Sequence, residues 1–437
     1  MLTSHPVKSV HGMIRAPGDK SCSHRALILG ALAHGMTSIE GLLQGEDVLH
    51  TADSLKQMGA DIQVKASGQW EVQGVGAKGL GTPAGALDFG NSGTGARLIM
   101  GAMSGFDLQA RLTGDASLSA RPMQRVTDPL SQMGAAFRPD EDMRLPMYMQ
   151  GTASLRAIDY TPPHASAQVK SAILLAGLQA RGTTIVREMQ RTRDHTERML
   201  RAFGAEVNIV STGKGQIISL PGPQSLTGQA TLSIPGDPSS AAFLAAAALI
   251  SPKGHIHIEH IMSNETRDGF FRMVEKMGGR LGAEATGEAA GERIIDIETH
   301  SAELSGISVP EAFVPSMIDE FPILAVLAAY AKGETIVTGA GELRVKEADR
   351  IRAIVNMLRV NGVNAEERPD GFIIEGCAGP PPGGGLVQTH HDHRIAMSAL
   401  ILGSAAKLPV RIDDARMIKT SYPNFLAHMD ALGLEIS

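Results

Sequence analysis

Apolar and polar positions alternate along this chain in a pattern that occurs six times. In each repeat a small polar or acidic residue opens a long apolar run, and roughly forty residues later a second run ends in Gly before a short alternating segment. A helix that closes on Gly and is followed by alternating residues predicts a helix and then a strand. Each repeat is therefore predicted to form a strand, a helix, a strand, a second helix and paired strands.

The spacing of these repeats is regular. The openings lie 71, 74, 73, 80 and 73 residues apart, at Ser21, Ser92, Ser166, Ser239, Asp319 and Asp392. The closing glycines are Gly59, Gly134, Gly204, Gly278, Gly362 and Gly433. Self-similarity at a fixed period is typical of an architecture built from one repeated unit. The fold class is therefore predicted as α/β with six similar units.

The two halves of the chain resemble each other. The segment SIPGDPSSAAFLAAAALI at 233–250 shares PGD, the serines and the apolar run with RAPGDKSCSHRALILGALA at 15–33. This similarity predicts a duplication of three units. We place one domain at residues 15–235 and the other at residues 1–14 plus 236–437, hinged at two Pro-Gly turns around a cleft.

Several predicted helix starts carry cationic residues. The first N–H groups of a helix lack partners within the helix and its dipole is positive there, so such a terminus can bind an anion. Residues 17–25, PGDKSCSHR, place Lys20 and Arg25 beside the potential caps Ser21 and Ser23. Residues 344–350, RVKEADR, are predicted to place Lys346 and Arg350 one turn apart on a helix. The pattern indicates a receptor for small polyanions.

Composition narrows the function further. The net charge is −6 and there is no basic tract, which argues against nucleic acid as the main partner. The two cysteines form neither a disulfide framework nor a Cys-rich zinc site, which is typical of a reducing cytosol. The start MLTSHPVKSV lacks an apolar export signal, and the longest apolar run, 241–250, is shorter than a membrane span. A cytoplasmic location is predicted.

Five local patterns have ordinary structural explanations. HHDHR at 390 lacks the spacing of a chelating set, and HIHIEH at 255 is typical of an exposed polar strand. GVGAKG at 74 is not followed by a helix, and no P-loop is present. Taken alone, Lys346 with Glu347 would be a solvated helix face and Asp319 a helix cap before Pro322. We predict no metal and no cofactor.

Eight strings in order resemble the enolpyruvyl transferases, and within them the EPSP synthase family. They are PGDKSCSHR at 17, NSGTGAR at 91, GDASLSARPM at 114, SAQVKSAILLAG at 166, TRDHTE at 192, SMIDEFPI at 316, RVKEADR at 344 and DHRIAM at 392. The resemblance covers essentially the whole chain. It implies a two-domain inside-out α/β fold with three units per domain, in agreement with the repeat count.

The resemblance also implies a reaction of the shikimate pathway, which leads to chorismate and the aromatic amino acids. The enolpyruvyl group of phosphoenolpyruvate is transferred to the 5-hydroxyl of shikimate 3-phosphate, and phosphate is released. The hydroxyl attacks C2 of the enol, a proton goes to the methylene, and the tetrahedral intermediate then loses a proton and phosphate. Such a site must hold two anions and both give and take protons. A monomer is the family expectation.

The resemblance assigns roles residue by residue. Lys20, Ser21 and Arg25 are similar to contacts of shikimate 3-phosphate, and Lys20 also reaches phosphoenolpyruvate. The cradle for the 3-phosphate corresponds to Ser166, Ala167 and Gln168, joined by Arg193. The phosphoenolpyruvate clamp corresponds to Arg121, Arg350 and Arg394 beside the backbone of Gly93. Asp319 corresponds to the base on the 5-hydroxyl, Glu347 to the proton donor and Lys346 to a partner of the first substrate.

The charges beside Glu347 bear on its role as an acid. Lys346 and Arg350 favour its ionised form. We therefore expect Glu347 to become a competent acid only when the domains close over both substrates.

Two positions differ from the common family pattern. The family often has Lys directly before Thr-aromatic-Pro, whereas IKTSYP at 418–423 contains an additional Ser421, so either Lys419 or Thr420 takes that place. Position 93 is Gly, where some members that tolerate glyphosate carry Ala. Because Gly leaves room for the inhibitor, sensitivity to glyphosate is predicted.

Three other functions compete with this one. The sister enzyme that acts on UDP-N-acetylglucosamine typically has a Cys on a mobile loop, and neither Cys22 nor Cys377 lies in one. A nucleotide or RNA-end ligase on a related fold would need a catalytic His and a bound nucleotide. A sugar-phosphate binding protein would keep the cations without Asp319 and Glu347, so the presence of both carboxylates favours catalysis.

Overall fold

The computed structural model describes residues 1–437 as a mixed α/β protein. The strands are β1 (Leu2–His5), β2 (Val10–Arg15), β3 (Met36–Glu40), β4 (Asp61–Val64), β5 (Trp70–Gln73), β6 (Leu87–Asp88), β7 (Gln109–Thr113), β8 (Ala136–Pro139), β9 (Met147–Gln150), β10 (Asp159–Tyr160), β11 (Gly182–Glu188), β12 (Asn208–Thr212), β13 (Gly215–Gly222), β14 (Leu232–Ser233), β15 (Gly254–Ser263), β16 (Arg280–Ala289), β17 (Glu292–His300), β18 (Ser308–Val309), β19 (Lys332–Val337), β20 (Asn364–Arg368), β21 (Gly371–Cys377), β22 (Leu386–Val387), β23 (Val410–Ile412) and β24 (Glu435–Ile436). The α-helices are α1 (Lys20–Leu32), α2 (Glu46–Gln57), α3 (Gly93–Met103), α4 (Ala116–Ser119), α5 (Gln124–Met133), α6 (Ala167–Gly177), α7 (His195–Ala202), α8 (Pro238–Ile250), α9 (Gly269–Lys276), α10 (Phe321–Tyr330), α11 (Arg350–Val360), α12 (His393–Ala405) and α13 (Phe425–Ala431). Short 3-10 helices cover Gly76–Lys78, Glu311–Ser316, Gly341–Val345 and Arg416–Thr420.

The chain forms two compact units. Unit A comprises Gly18–Pro235 with Ala289–Glu292, and unit B comprises Met1–Pro17, Gly236–Glu288 and Arg293–Ser437. Unit A contains the sheets β14-β3-β5-β4, β6-β7-β9-β8 and β10-β11-β13-β12. Unit B contains the sheets β16-β17-β15-β2, β18-β19-β21-β20 and β22-β23-β1-β24.

All six sheets are built in the same way. One edge strand of each sheet is parallel to its neighbour, as Leu87 pairs with Leu112 and Val309 with Val337. The remaining pairs that complete each sheet are antiparallel, as between β11, β13 and β12. A parallel pair needs a crossover, and in four sheets the first helix of the repeat supplies it. In the other two, β2 and β14, which precede α1 and α8, pair instead with β15 and β3.

The first helix of each repeat lies inside its unit. In unit B every residue of α8, α10 and α12 is buried, and these three helices contact one another. In unit A, α3 packs against α1 and α6, and all three are mostly buried. Helices with apolar residues on every side must be buried on every side, and strand residues such as Ile256, Val337 and Val410 complete the core of unit B.

The structure corrects where some of these helices start. Asp19 and Asp237, not Ser21 and Ser239, cap α1 and α8, because each carboxylate accepts a hydrogen bond from a backbone N–H two or three residues later. α10 begins at Phe321 with Glu320 at its N-cap, so Asp319 is not a cap. The helix expected over Lys346 to Arg350 is wrong, since Asp349 caps α11 and Lys346 follows a 3-10 turn.

The six closing glycines all have positive φ, between 77° at Gly362 and 122° at Gly134. A side chain would be strained in that conformation, so Gly ends the second helix of every repeat. The predicted six-unit α/β fold is confirmed. None of the helices is both long and apolar enough to span a bilayer.

Candidate active site

The first helix of unit A presents three of the predicted residues. Lys20, Ser21 and Arg25 lie in the first two turns of α1. The Lys20 ammonium forms an ion pair of 3.0 Å with Asp47 Oδ2, and both side chains are partly exposed. This pair holds a cation at a helix N-terminus, where the helix dipole is also positive.

Arg25 is buried and held on three sides. Its Nε donates to Thr196 Oγ1 and its Nη2 to Ser171 Oγ, both at 2.7 Å, while Nη1 donates to the Ser21 carbonyl at 2.8 Å. Burial lowers the pKa of Arg25 from its ordinary value, and the nearby Arg193 acts in the same direction. The guanidinium is therefore a rigidly oriented cation in unit A.

A glutamine joins the starts of α3 and α6. Gln168 Oε1 accepts from Arg97 Nη1 at 2.8 Å, and Gln168 Nε2 donates to Thr94 Oγ1 at 2.9 Å. Ser166 caps α6, with Ala167 as its first helical residue. Gln168 thus lies beside two helix N-termini, in an arrangement suited to an anion.

Gly93 and Arg121 belong to the same cluster. Arg121 Nη2 donates to Asn91 Oδ1 at 2.8 Å and to Ser117 Oγ at 3.1 Å. A Cβ added to Gly93 would lie 2.9 Å from Arg97 Nη1 and 3.2 Å from Arg121 Nη1. The backbone at Gly93 therefore packs directly against two guanidinium groups.

A single buried arginine organises the site residues of unit B. Arg350 is 1% exposed and donates from Nε to Asp392 Oδ2 at 2.7 Å, from Nη1 to Asp319 Oδ1 at 3.1 Å and from Nη2 to Glu347 Oε2 at 2.5 Å. Burial alone would lower the pKa of Arg350, but the carboxylates of Asp392, Glu347 and Asp319 outweigh it and raise that pKa. Both predicted proton-transfer groups are therefore held by one permanent cation.

Two further cations lie beside Asp319. Lys346 Nζ is 3.8 Å from Asp319 Oδ1, and Arg394 Nη1 donates to the Asp319 carbonyl at 3.1 Å. Arg394 also lies 3.7 Å from Glu320 Oε1, a carboxylate that accepts a hydrogen bond from Ser239 Oγ. The structure thus brings together five of the six residues predicted in unit B.

The remaining predicted residues stand apart. Lys419 is exposed on the 3-10 helix Arg416–Thr420 and makes no ion pair with this cluster. Arg193 is half-buried in the loop before α7. Its positive charge helps to lower the pKa of Arg25. In HHDHR, His390 and His391 are exposed while Asp392 caps α12, so these side chains serve different purposes.

Sequence reasoning did not identify four charged neighbours. They are Asp47, Arg97, Glu320 and Asp392. Three of them had a signal: Arg97 ends NSGTGAR, Glu320 follows Asp319, and Asp392 opens DHRIAM. Asp47 had none, because nothing local indicates that α2 packs on α1.

Three groups of side chains have donor atoms within 4.8 Å of one another. They are Cys22, His195 and Glu292; His255, Glu298 and His300; and His257, Glu259 and Asp296. The last two groups lie on the sheet that contains HIHIEH, where His255 stacks on His300 at 4.4 Å. None of the three groups includes Asp319, Glu347 or another predicted site residue.

Comparison with known proteins gives a consistent result. Residues 4–429 match the model of EPSP synthase (3-phosphoshikimate 1-carboxyvinyltransferase). A curated 3-phosphoshikimate 1-carboxyvinyltransferase of Hyphomonas neptunium is 61% identical over 99% of both chains, and one of Caulobacter vibrioides is 50% identical over 100% of this chain and 98% of the relative. The solved EPSP synthase of Acinetobacter baumannii is 43% identical, with a TM-score of 0.88 over 100% of this chain and 99% of that one. The predicted resemblance is confirmed, and the chain belongs to the EPSP synthase (3-phosphoshikimate 1-carboxyvinyltransferase) family.

Proposed function

We propose that this enzyme transfers the enolpyruvyl group of phosphoenolpyruvate to the 5-hydroxyl of shikimate 3-phosphate and releases phosphate. The observation that carries the proposal is the guanidinium of Arg350, which holds Asp319 and Glu347 at 3.1 and 2.5 Å. Addition followed by elimination needs one group that takes a proton and one that gives it. Two carboxylates fixed by one buried cation satisfy that need.

Unit A contributes the binding of shikimate 3-phosphate in this proposal. Lys20, Ser21, Arg25 and Arg193 supply charge and hydrogen bonds, and the start of α6 supplies the 3-phosphate cradle through Ser166, Ala167 and Gln168. The oriented Arg25 guanidinium and the capped N-terminus of α6 both support this role.

Phosphoenolpyruvate is assigned to arginine side chains. They are Arg121, with Lys20 and the backbone of Gly93, and Arg350 and Arg394, with Lys419 as a further candidate. Planar guanidinium groups match carboxylate and phosphate with paired hydrogen bonds. Lys346 is assigned to shikimate 3-phosphate beside Asp319, since its ammonium lies 3.8 Å from that carboxylate.

Proton transfer follows from the two carboxylates. Asp319 accepts the proton of the 5-hydroxyl as its oxygen attacks C2, and Glu347 protonates the methylene. A substrate anion that draws Arg350 away from Glu347 removes a contact that favours its ionised form. Substrate binding itself therefore makes Glu347 a better acid.

The function is tested by phosphate release from phosphoenolpyruvate with each acceptor offered separately. Chelator-treated protein should release phosphate with shikimate 3-phosphate and not with UDP-N-acetylglucosamine. Turnover with UDP-N-acetylglucosamine, or none with either acceptor, would overturn the assignment. Chelator treatment also tests whether the reaction proceeds without a metal.

We further propose a cytoplasmic monomer. Neither cysteine is in a disulfide, with Cys22 buried and Cys377 exposed, which supports a reducing compartment. Light scattering that gave twice the mass of one chain would contradict the monomer.

A further inference from the structure

A fully buried lysine lies one helical turn behind the proposed 3-phosphate cradle. Lys170 follows Ser166 on α6, and its side chain is 0% exposed. Its ammonium is 2.8 Å from Glu197 Oε1 and 3.0 Å from Glu188 Oε2, and it donates to the Thr192 carbonyl at 3.4 Å. The ammonium therefore donates hydrogen bonds to Glu188 and Thr192 and forms a close ion pair with Glu197.

Glu188, one of the two carboxylate partners of Lys170, fixes the loop before α7. Glu188, at the end of β11, also accepts hydrogen bonds from Thr192 Oγ1 and, at 2.8 Å, from Gln216 Nε2. Thr192 is therefore tied to this cluster through both its carbonyl and its hydroxyl. The next residue in the chain is Arg193, which the proposed function places on the substrate phosphate.

Glu197, the other carboxylate partner of Lys170, connects Lys170 to Arg25. Glu197 is preceded on α7 by Thr196, which accepts from Arg25 Nε at 2.7 Å and donates to Ser171 Oγ at 2.7 Å. Ser171 directly follows Lys170 and accepts from Arg25 Nη2. Of the five N–H groups of Arg25, three are bonded to protein, which leaves one on each terminal nitrogen. Such a pair suits two oxygens of a phosphate.

Stability alone does not explain this arrangement. Lys170 and Arg25 carry two positive charges and Glu188 and Glu197 two negative ones, all of them buried. Removing charges from water costs several kcal/mol per ion, and a buried ion pair is often no more stable than well-packed apolar side chains. A neutral cluster that nevertheless connects three elements is better explained by the geometry that it imposes.

We propose that Lys170 is a positioning residue that sets the relative placement of three phosphate-binding elements: the start of α6, the loop that carries Arg193, and the Arg25 guanidinium. It does so through Glu188 with Thr192 and through Glu197 with Thr196 and Ser171. The inference rests on the proposed function, since it takes these three elements as the contacts of the 3-phosphate. It adds residues that touch no substrate and yet determine the affinity for its phosphate.

The test measures calorimetric affinities for shikimate 3-phosphate and for unphosphorylated shikimate, together with kcat and both KM values. Lys170→Met should weaken shikimate 3-phosphate binding about tenfold or more, which corresponds to the loss of one hydrogen bond to a charged group. Shikimate affinity and the KM for phosphoenolpyruvate should change less than about twofold on the same scale. A merely structural role would weaken the binding of all three ligands together.

Companion variants keep the test decisive if Lys170→Met does not fold. Thr196→Val removes one hydroxyl without changing any charge and should show the same selective loss, while Thr196→Ser should restore affinity. Lys56→Met, at an exposed ion pair whose lysine is 44% exposed, is the matched control and should behave as the native protein. Equal losses for shikimate and its phosphate in Lys170→Met or Thr196→Val would overturn the inference.

A further variant separates this inference from the proposed function. Arg25→Gln must weaken shikimate 3-phosphate binding if the cradle is assigned correctly. If it does not, the cradle itself is wrong. If Arg25→Gln weakens binding while Thr196→Val and a folded Lys170→Met bind shikimate 3-phosphate normally, only the positioning role of Lys170 is disproved.

Discussion

Replacing Arg350 with Met tests how strongly unit B depends on one buried cation. The change leaves Asp392, whose side chain is 0% exposed, without the bonds of 2.7 and 3.4 Å that it receives from Nε and Nη2. An uncompensated buried charge costs about 3–5 kcal/mol of the free energy of unfolding. Asp319 and Glu347, at 15% and 19% side-chain exposure, can turn toward water and add at most about 1 kcal/mol. The expected total is about 4 kcal/mol.

A second substitution should recover part of that loss. In Arg350→Met/Asp392→Asn the buried charge is gone, and Asn caps a helix about as well as Asp. Pairs in direct contact show coupling energies of up to about 3 kcal/mol, so the double variant should be about 2 kcal/mol more stable than the single one. The measurement is urea unfolding at pH 7 followed by circular dichroism, with the slopes compared.

The matched control is an exposed pair with the same separation. Arg416 Nη2 lies 2.7 Å from Asp414 Oδ2, as close as Arg350 Nε lies to Asp392, but Arg416 is 87% exposed. Arg416→Met should leave the urea midpoint nearly unchanged. If Arg350→Met shifts the midpoint no more than this control, or if Asp392→Asn restores nothing, the reasoning from burial is refuted.

Three other predictions concern catalysis, pH and the inhibitor. Glu347→Gln should lower kcat by about 10²–10⁴-fold in phosphate release, because an amide cannot donate the required proton, while Glu342→Gln, at an exposed position in the same segment, should not. Burial lowers the pKa of His24 well below its ordinary value. Below about pH 6.5 the unfolded chain therefore takes up a proton that the folded protein does not. The free energy of unfolding falls with falling pH until the folded-state pKa is reached. His24→Gln should therefore reduce the pH slope of the free energy of unfolding below pH 6.5 by up to about 1.4 kcal/mol per unit. Glyphosate should inhibit the enzyme below millimolar concentration, and Gly93→Ala should weaken that inhibition and raise the KM for phosphoenolpyruvate, because its Cβ would displace Arg97, at 2.9 Å, and press on Arg121, at 3.2 Å.

Each of these predictions has a result that would contradict it. Near-native turnover in Glu347→Gln would remove its role as the acid. A pH slope that changes equally in His24→Gln and in a variant of the exposed His34 would exclude burial as the cause. Gly81→Ala, whose Cβ would meet nothing closer than 3.8 Å, is the control for Gly93→Ala, and equal inhibition curves for the two would disprove the contact argument.

Most of the fold follows from local patterns. The glycines at helix ends were identified because Gly tolerates the positive φ found there, and the six inner helices because each contains a long apolar run. Cap positions were less certain, because Asp19 and Ser21 are both good caps and backbone geometry decides between them. The same ambiguity misplaced the helix start at Lys346, where a 3-10 turn precedes Asp349.

The sequence proposed candidate site residues but not their contacts. The family strings point to Lys20, Arg25, Asp319, Glu347 and Arg350, and the roles of these residues stay predictions. They could not show that Arg350 binds three carboxylates. Side-chain partners are chosen by packing and by the need to neutralise buried charge, and both depend on the neighbouring elements.

The sequence by itself determined the number of units, the helices that must be buried and the chemistry available at their starts, because these properties depend on residues close together in the chain. Only the tertiary structure decided which charges meet. Arg25 bonds to Thr196, which is 171 positions away in the sequence, and Arg350 bonds to Asp392, which is 42 positions away. Contacts over such separations form only when whole helices pack, and a buried ion takes whatever counter-charge that packing places within reach.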